Sequence, residues 1–134
     1  MQATCQSKSK HNKTGDVILV TGGNGFLGQH IVKILHEHGG DDVREIRIYD
    51  VKHYKKNLGW IGYEVKVTAS VKDVFVEFEN TKSFEAIVGD VTDGDRLKKA
   101  MEGVDCVIHT AGVISFGSFP DFEKMEMVNV KGAQ

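Results

Sequence analysis

The run Thr21-Gly22-Gly23-Asn24-Gly25-Phe26-Leu27-Gly28 carries the strongest chemical signal in this chain. Gly22 can take a positive φ in a tight turn. Gly25 has no Cβ, so an anion can approach the backbone at a helix start, where free N–H groups and the dipole favour negative charge. Gly28 allows a helix to pack closely against a strand. The spacing is G-x-x-G-x-x-G, not the G-x-G-x-x-G of most dinucleotide-binding turns. A nucleoside-triphosphate loop fails on its key residue, because Gln29 stands where that motif needs lysine. A purely structural turn would also satisfy the spacing. The position of the glycines, after an apolar run and before an amphipathic helix, favours a bound pyrophosphate.

Asp50 lies 22 residues beyond Gly28, where an acid that accepts both adenosine-ribose hydroxyls is expected. Its carboxylate would repel a 2′-phosphate, so NAD is favoured over NADP. The alternative is an ordinary solvated aspartate closing a strand. Lys52, Lys55 and Lys56 follow it, either as a solvated face or as a loop able to hold a phosphate. Asp90, with Val91 beside it, has two readings: acceptor for an adenine amino group, or helix N-cap, a role open to Asp93 as well. Thr110-Ala111-Gly112 would let a cofactor ribose lie against backbone, or would simply turn the chain. A metal site is not supported, because His36 and His38 diverge on a helix and no Cys-x-x-Cys exists. Ser115 and His109 lack a nucleophile-elbow sequence. They read as a loop serine and a strand-end histidine.

These residues need an α/β frame. Asp16–Thr21 is too short and apolar for a helix and reads as a buried parallel strand. Phe26–His38 repeats Leu27, Ile31, Ile34 and Leu35 at helical spacing and stops at Gly39-Gly40. Arg44–Asp50 alternates as a second strand, completing a βαβ unit. Phe84–Val88 and Val104–His109 read as further core strands, and Asp93–Gly103 as a helix. A last helix from Pro120 is expected to run off the end of the chain. Between them, Tyr63–Phe78 alternates around Val65 and Val67, then Val74 and Val76, as an inserted β-hairpin or a long loop. Trp60, Tyr63 and Phe75 read as packing there. Alternating strands and helices imply a Rossmann-type, doubly wound parallel sheet.

With 134 residues, 40% of them apolar and 27% charged, and a net charge of -2, the chain fits one domain. The charge argues against nucleic-acid binding. No apolar run approaches the roughly 18 residues that span a bilayer. Residues 1–15 read as a polar tail without a signal-peptide core, and residues 16–134 as the domain, incomplete at its C-terminus. Cys5 and Cys106 are expected to be reduced thiols in an intracellular protein.

Five segments occur in one order: Gly22–Gly28, Ile48-Tyr49-Asp50, Gly89-Asp90-Val91-Thr92-Asp93, His109-Thr110-Ala111-Gly112 and Asn129-Val130-Lys131-Gly132. Together they resemble the extended short-chain dehydrogenase/reductase superfamily, and most closely its 3β-hydroxysteroid dehydrogenase/Δ5-Δ4-isomerase family rather than its sugar-nucleotide epimerases. The resemblance implies that Gly22, Gly25 and Gly28, with Phe26 and Leu27 between them, hold the pyrophosphate of NAD. It places Asp50 on the adenosine ribose, Asp90 and Val91 at the adenine, and Ala111 and Gly112 toward the nicotinamide. Asn129 matches a helix position that supports the active site. The implied activity is oxidation of a steroid or sterol 3β-hydroxyl in steroid biosynthesis, by a cytoplasmic chain whose full-length parent can sit at the endoplasmic-reticulum membrane.

The family's Tyr-x-x-x-Lys base is missing: His53, Leu58 and Val67 stand four residues after Tyr49, Tyr54 and Tyr63. The alternative is a non-catalytic NAD-binding sensor or partner subunit. In the usual strand order, Val104–His109 would also form a sheet edge through which chains self-associate.

Overall fold

Val17-Ile18-Leu19-Val20 offers water no polar face, and the chain buries it at the centre of a sheet. The computed structural model describes residues 15–55 and 83–134, and the backbone of residues 2–5 and 73–77. In chain order the elements are β1 (Gln2–Cys5), β2 (Asp16–Thr21), α1 (Phe26–His38), β3 (Val43–Asp50), β4 (Asp73–Glu77), β5 (Ser83–Val88), α2 (Gly94–Ala100), β6 (Cys106–His109) and α3 (Phe122–Asn129). The sheet order is β1-β6-β2-β3-β5-β4. The four inner strands β6, β2, β3 and β5 are parallel, and β1 and β4 add antiparallel edges. This is a Rossmann-type sheet.

Alternation along β2 separates two cores. Ile18 and Val20 face Val32 of α1, together with Ile46, Ile48 and Phe84. Leu19 points the other way, into a cluster with Tyr49, Val91 and Ala100, against which Leu97 of α2 and Val128 of α3 pack. Helices therefore cover both faces, as in doubly wound folds. Arg47 ties the layers together. Its guanidinium pairs with Glu45 and with Glu85 on β5, and it also donates to the Ala100 and Glu102 carbonyls at the end of α2.

Several expectations change. The tail read as merely polar contributes β1, which pairs with β6 over all four residues. The apolar strand β6 is therefore not the edge proposed as a self-association surface. Backbone pairing by a polar segment leaves little trace in composition. The same pairing sets Cys5 opposite Cys106, and Cys106 is disulfide-bonded rather than a reduced thiol.

β4 lies in the second half of the alternating insertion and pairs with β5, its successor in the chain. Val65 and Val67 fall outside the described residues. The last helix does not run off the end. α3 stops at Asn129, whose side chain is engaged by the loop after β6, and a 3-10 turn follows over Lys131–Ala133.

Candidate functional site

The carboxyl ends of β2, β3, β5 and β6 open onto one cleft of about 490 Å³. This is where open α/β sheets bind ligands. β2 contributes the glycine turn. Gly22 adopts φ +70 and runs directly against the backbone of Thr110 and Ala111. Its N–H extends the sheet by donating to the Tyr49 carbonyl at 2.8 Å. A Cβ on Gly28 would collide with the Gly22 carbonyl, so this glycine lets α1 seat tightly on the turn.

The start of α1 has Gly25 as its N-cap and no side-chain cap. Its first N–H groups, which lack partners inside the helix, are left for another acceptor. The Phe26 and Leu27 side chains are 83% and 48% exposed and do not line the cleft. Only the backbone of these two residues belongs to the helix start.

Asp50 closes β3 directly beside the glycine turn. Its Oδ2 accepts from the Asn24 N–H and its Oδ1 from the Lys52 N–H, both at 3.0 Å. Each oxygen keeps one further acceptor position. Asp90 and Val91 follow β5 and also line the cleft. The choice between Asp90 and Asp93 as helix cap is settled by geometry. Asp93 Oδ1 accepts from Arg96 N–H at 3.1 Å, whereas Asp90 Oδ1 accepts from Thr92 N–H and Oγ1–H at 2.9 and 2.8 Å. Tyr49, wholly buried, donates its phenol proton to the Asp90 carbonyl at 3.0 Å and fixes that loop from below. Burial, reinforced by Asp93, pushes the Tyr49 pKa above its usual value of 10.0.

Ala111 and Gly112 complete the floor after β6. Thr110 Oγ1–H donates to the Thr21 carbonyl at 2.7 Å, and Thr21 Oγ1 meets His109 Nδ1 at 2.6 Å. Burial lowers the His109 pKa. Asn129 grips Val113 by both backbone groups at 2.8 Å, tying α3 to the floor.

Gly22, Gly25, Asp50, Asp90, Val91, Ala111 and Gly112 thus share one cleft, while Phe26, Leu27 and Gly28 are not among the residues that line it. Lys52, read from the sequence as either a solvated or a phosphate-holding cation, also lines it, as do Asn24, Lys124 and Val128, which sequence reasoning did not assign to the site. Asn24 sat in a position where the glycine motif tolerates any residue. Lys124 and Val128 carried a usable signal, since they are four apart and share a helix face. Among the described residues no cluster of His, Cys, Asp and Glu is placed to hold a metal ion. No described helix is long and apolar enough to cross a membrane.

Strand order, glycine turn and cleft define the class as a Rossmann-type fold of the short-chain dehydrogenase/reductase kind. The chain belongs to the 3-beta hydroxysteroid dehydrogenase/isomerase family, whose profile matches residues 19–134. It is 36% identical over 119 residues to the 3 beta-hydroxysteroid dehydrogenase/Delta 5-->4-isomerase of Monkeypox virus, covering 88% of this chain and 28% of that protein. It is 38% identical over 118 residues to the 3 beta-hydroxysteroid dehydrogenase type 7 of Rattus norvegicus, covering 88% of this chain and 30% of that one. The chain thus spans less than a third of the length of these relatives. In structure it resembles the Bordetella bronchiseptica enzyme WbmG in complex with NAD, with a TM-score of 0.56 at 22% identity over 91% of this chain and 32% of WbmG. That likeness shows the fold.

Proposed function

We propose that this chain is the NAD-binding portion of an oxidoreductase acting on the 3β-hydroxyl of a steroid or sterol. The observation that carries the reading is the uncapped start of α1 with the Asp50 carboxylate held beside it on the same cleft. The first N–H groups of α1, at Phe26 and Leu27, suit a pyrophosphate, and Gly25 before them has no Cβ to block its approach. The fixed Asp50 carboxylate suits a ribose diol. The Asp90-Val91 loop suits the adenine, and Ala111 with Gly112 offers a small-residue floor for the rest of the dinucleotide. The cleft volume lies within the range of small-molecule sites.

Held by these residues, NAD would supply the hydride acceptor for oxidation of the alcohol. The residues of this chain bind and orient the cofactor. Support for the steroid alcohol comes from family membership and the names of the two relatives.

Calorimetric titration tests the reading. NAD is expected to bind, more tightly than NADP, and Asp50→Ala to weaken NAD by about tenfold, the equivalent of losing hydrogen bonds to a charged acceptor. A folded chain that binds neither dinucleotide would refute it.

A further inference from the structure

Asn24 uses every polar group it has. Its N–H donates to Asp50 Oδ2 at 3.0 Å, and its carbonyl accepts from Gln29 Nε2–H at 2.9 Å. Its side-chain Nδ2–H donates to the His53 carbonyl at 3.1 Å, while Oδ1 accepts from the Lys55 N–H at 3.0 Å. The carboxamide therefore engages the chain beyond β3 as a neighbouring strand would, with one donor and one acceptor. Few side chains of this length offer both. The segment it holds starts at Asp50 and carries Lys52, a cleft-lining cation, and Lys55, both exposed.

We infer that Asn24 is a specificity-determining residue, whose side chain pins residues 53–55 to the glycine turn and so excludes a 2′-phosphate from the adenosine end of the cleft. The inference rests on the dinucleotide reading above. Asp50 alone disfavours a phosphate by charge, but the two lysines nearby would offset that repulsion if they could swing toward it. A ribose diol needs nothing from them. A 2′-phosphate, with a charge of about −1.5 to −2, needs a cation. Fixing the backbone of the lysine-bearing segment at two points denies it the freedom to rearrange around that charge. The Asn24 main-chain bond to Asp50 survives a side-chain substitution, so the Asp50 contribution can be separated from that of the carboxamide.

The experiment compares NAD and NADP titrations of the wild-type chain, Asn24→Ala and the milder Asn24→Ser, with thermal melts of each. Adenosine 2′,5′-bisphosphate and ADP serve as probes confined to the adenosine end. Loss of both side-chain bonds is expected to lower the NAD:NADP affinity ratio by about tenfold, chiefly by strengthening NADP and the bisphosphate, with little change in ADP. An unchanged ratio in a folded variant overturns the inference, even where both affinities fall together, because that pattern is the loss of a merely structural contact. Wild-type chain that binds NAD without preference also overturns it, while leaving the dinucleotide reading intact. Wild-type chain that binds no dinucleotide ends both.

Discussion

Gly22 and Ala111 meet so closely at the ends of β2 and β6 that a Cβ on Gly22 would lie 2.6 Å from the Ala111 nitrogen. The obstruction is main chain, which cannot rotate away as a side chain can. Gly22 also holds φ +70, a region that side-chain-bearing residues enter at a cost of about 1–3 kcal/mol. Gly22→Ala is therefore expected to lower stability by at least about that amount and to spread β2 from the floor of the cleft. Thermal melts and NAD titration check this. A variant with wild-type Tm and affinity would show that the turn is looser than the contact implies.

Asn129 closes the same floor from above. Its two bonds satisfy the Val113 backbone N–H and carbonyl and fix α3 against the loop after β6. Asn129→Ala removes both. At about 0.5–1.5 kcal/mol per net hydrogen bond, and with the pair on the exposed side, a loss of about 1 kcal/mol is expected. The measurement is chemical denaturation. Val113 amide exchange should rise with it, and unchanged protection at Val113 would count against the tie.

His109 predicts a pH dependence. Burial lowers its pKa in the folded chain, while the unfolded chain keeps the ordinary value near 6.5. Between the depressed value and 6.5 the unfolded chain binds more protons, so stability rises with pH across that window. The contribution is complete above about pH 6.5 and is lost progressively as pH falls below it. Melting temperatures of wild type and His109→Gln across that range test the sign. Equal slopes for the two proteins would place the titration elsewhere.

The disulfide at Cys106 gives a further expectation. Cys106 stands on β6 opposite β1, at the register position of Cys5. Cys106→Ser removes the cross-link. A native disulfide of ordinary geometry contributes about 2–4 kcal/mol. A fall in Tm is expected for the variant, and a matching fall for wild type in reductant. If reductant leaves the wild-type melt unmoved, the bond does not hold β1 in place.

How far the sequence revealed this molecule depends on what kind of force places each element. β2 and α1 were legible to the residue because side-chain burial dictates them: an unbroken apolar run, then Ile31 and Leu35 at helical spacing packed on the sheet. β1 was illegible because main-chain hydrogen bonds to β6 place it, and any polar segment can supply those. The end of α3 was illegible for a related reason, since a tertiary contact from Asn129 decides it. In the cleft, the glycines and Asp50 stood out because their roles restrict residue type. Asn24 did not, because its role emerges only when residues 53–55 fold back onto the turn.

The last prediction concerns turnover. Oxidising an alcohol needs a group to take the hydroxyl proton as the hydride leaves, and a positioned base of this kind is worth about 10²–10⁴ in rate. In the family pattern that group is a tyrosine made acidic by a lysine four residues on, a spacing that none of Tyr49, Tyr54 and Tyr63 satisfies. Tyr49 is also held in the opposite sense. Its phenol is buried, its proton is committed to the Asp90 carbonyl, and its pKa is raised rather than lowered. His109 is not among the residues that line the cleft. The 134-residue chain is therefore expected to bind NAD yet to reduce none of it in the presence of a 3β-hydroxysteroid. Absorbance at the wavelength of the reduced nicotinamide follows this directly, with calorimetry on the same sample confirming that cofactor is bound. Steroid-dependent reduction at a rate above the protein-free control would mean that another group in the cleft takes the proton, and Lys124, the cleft-lining cation on α3, would be the first residue to replace.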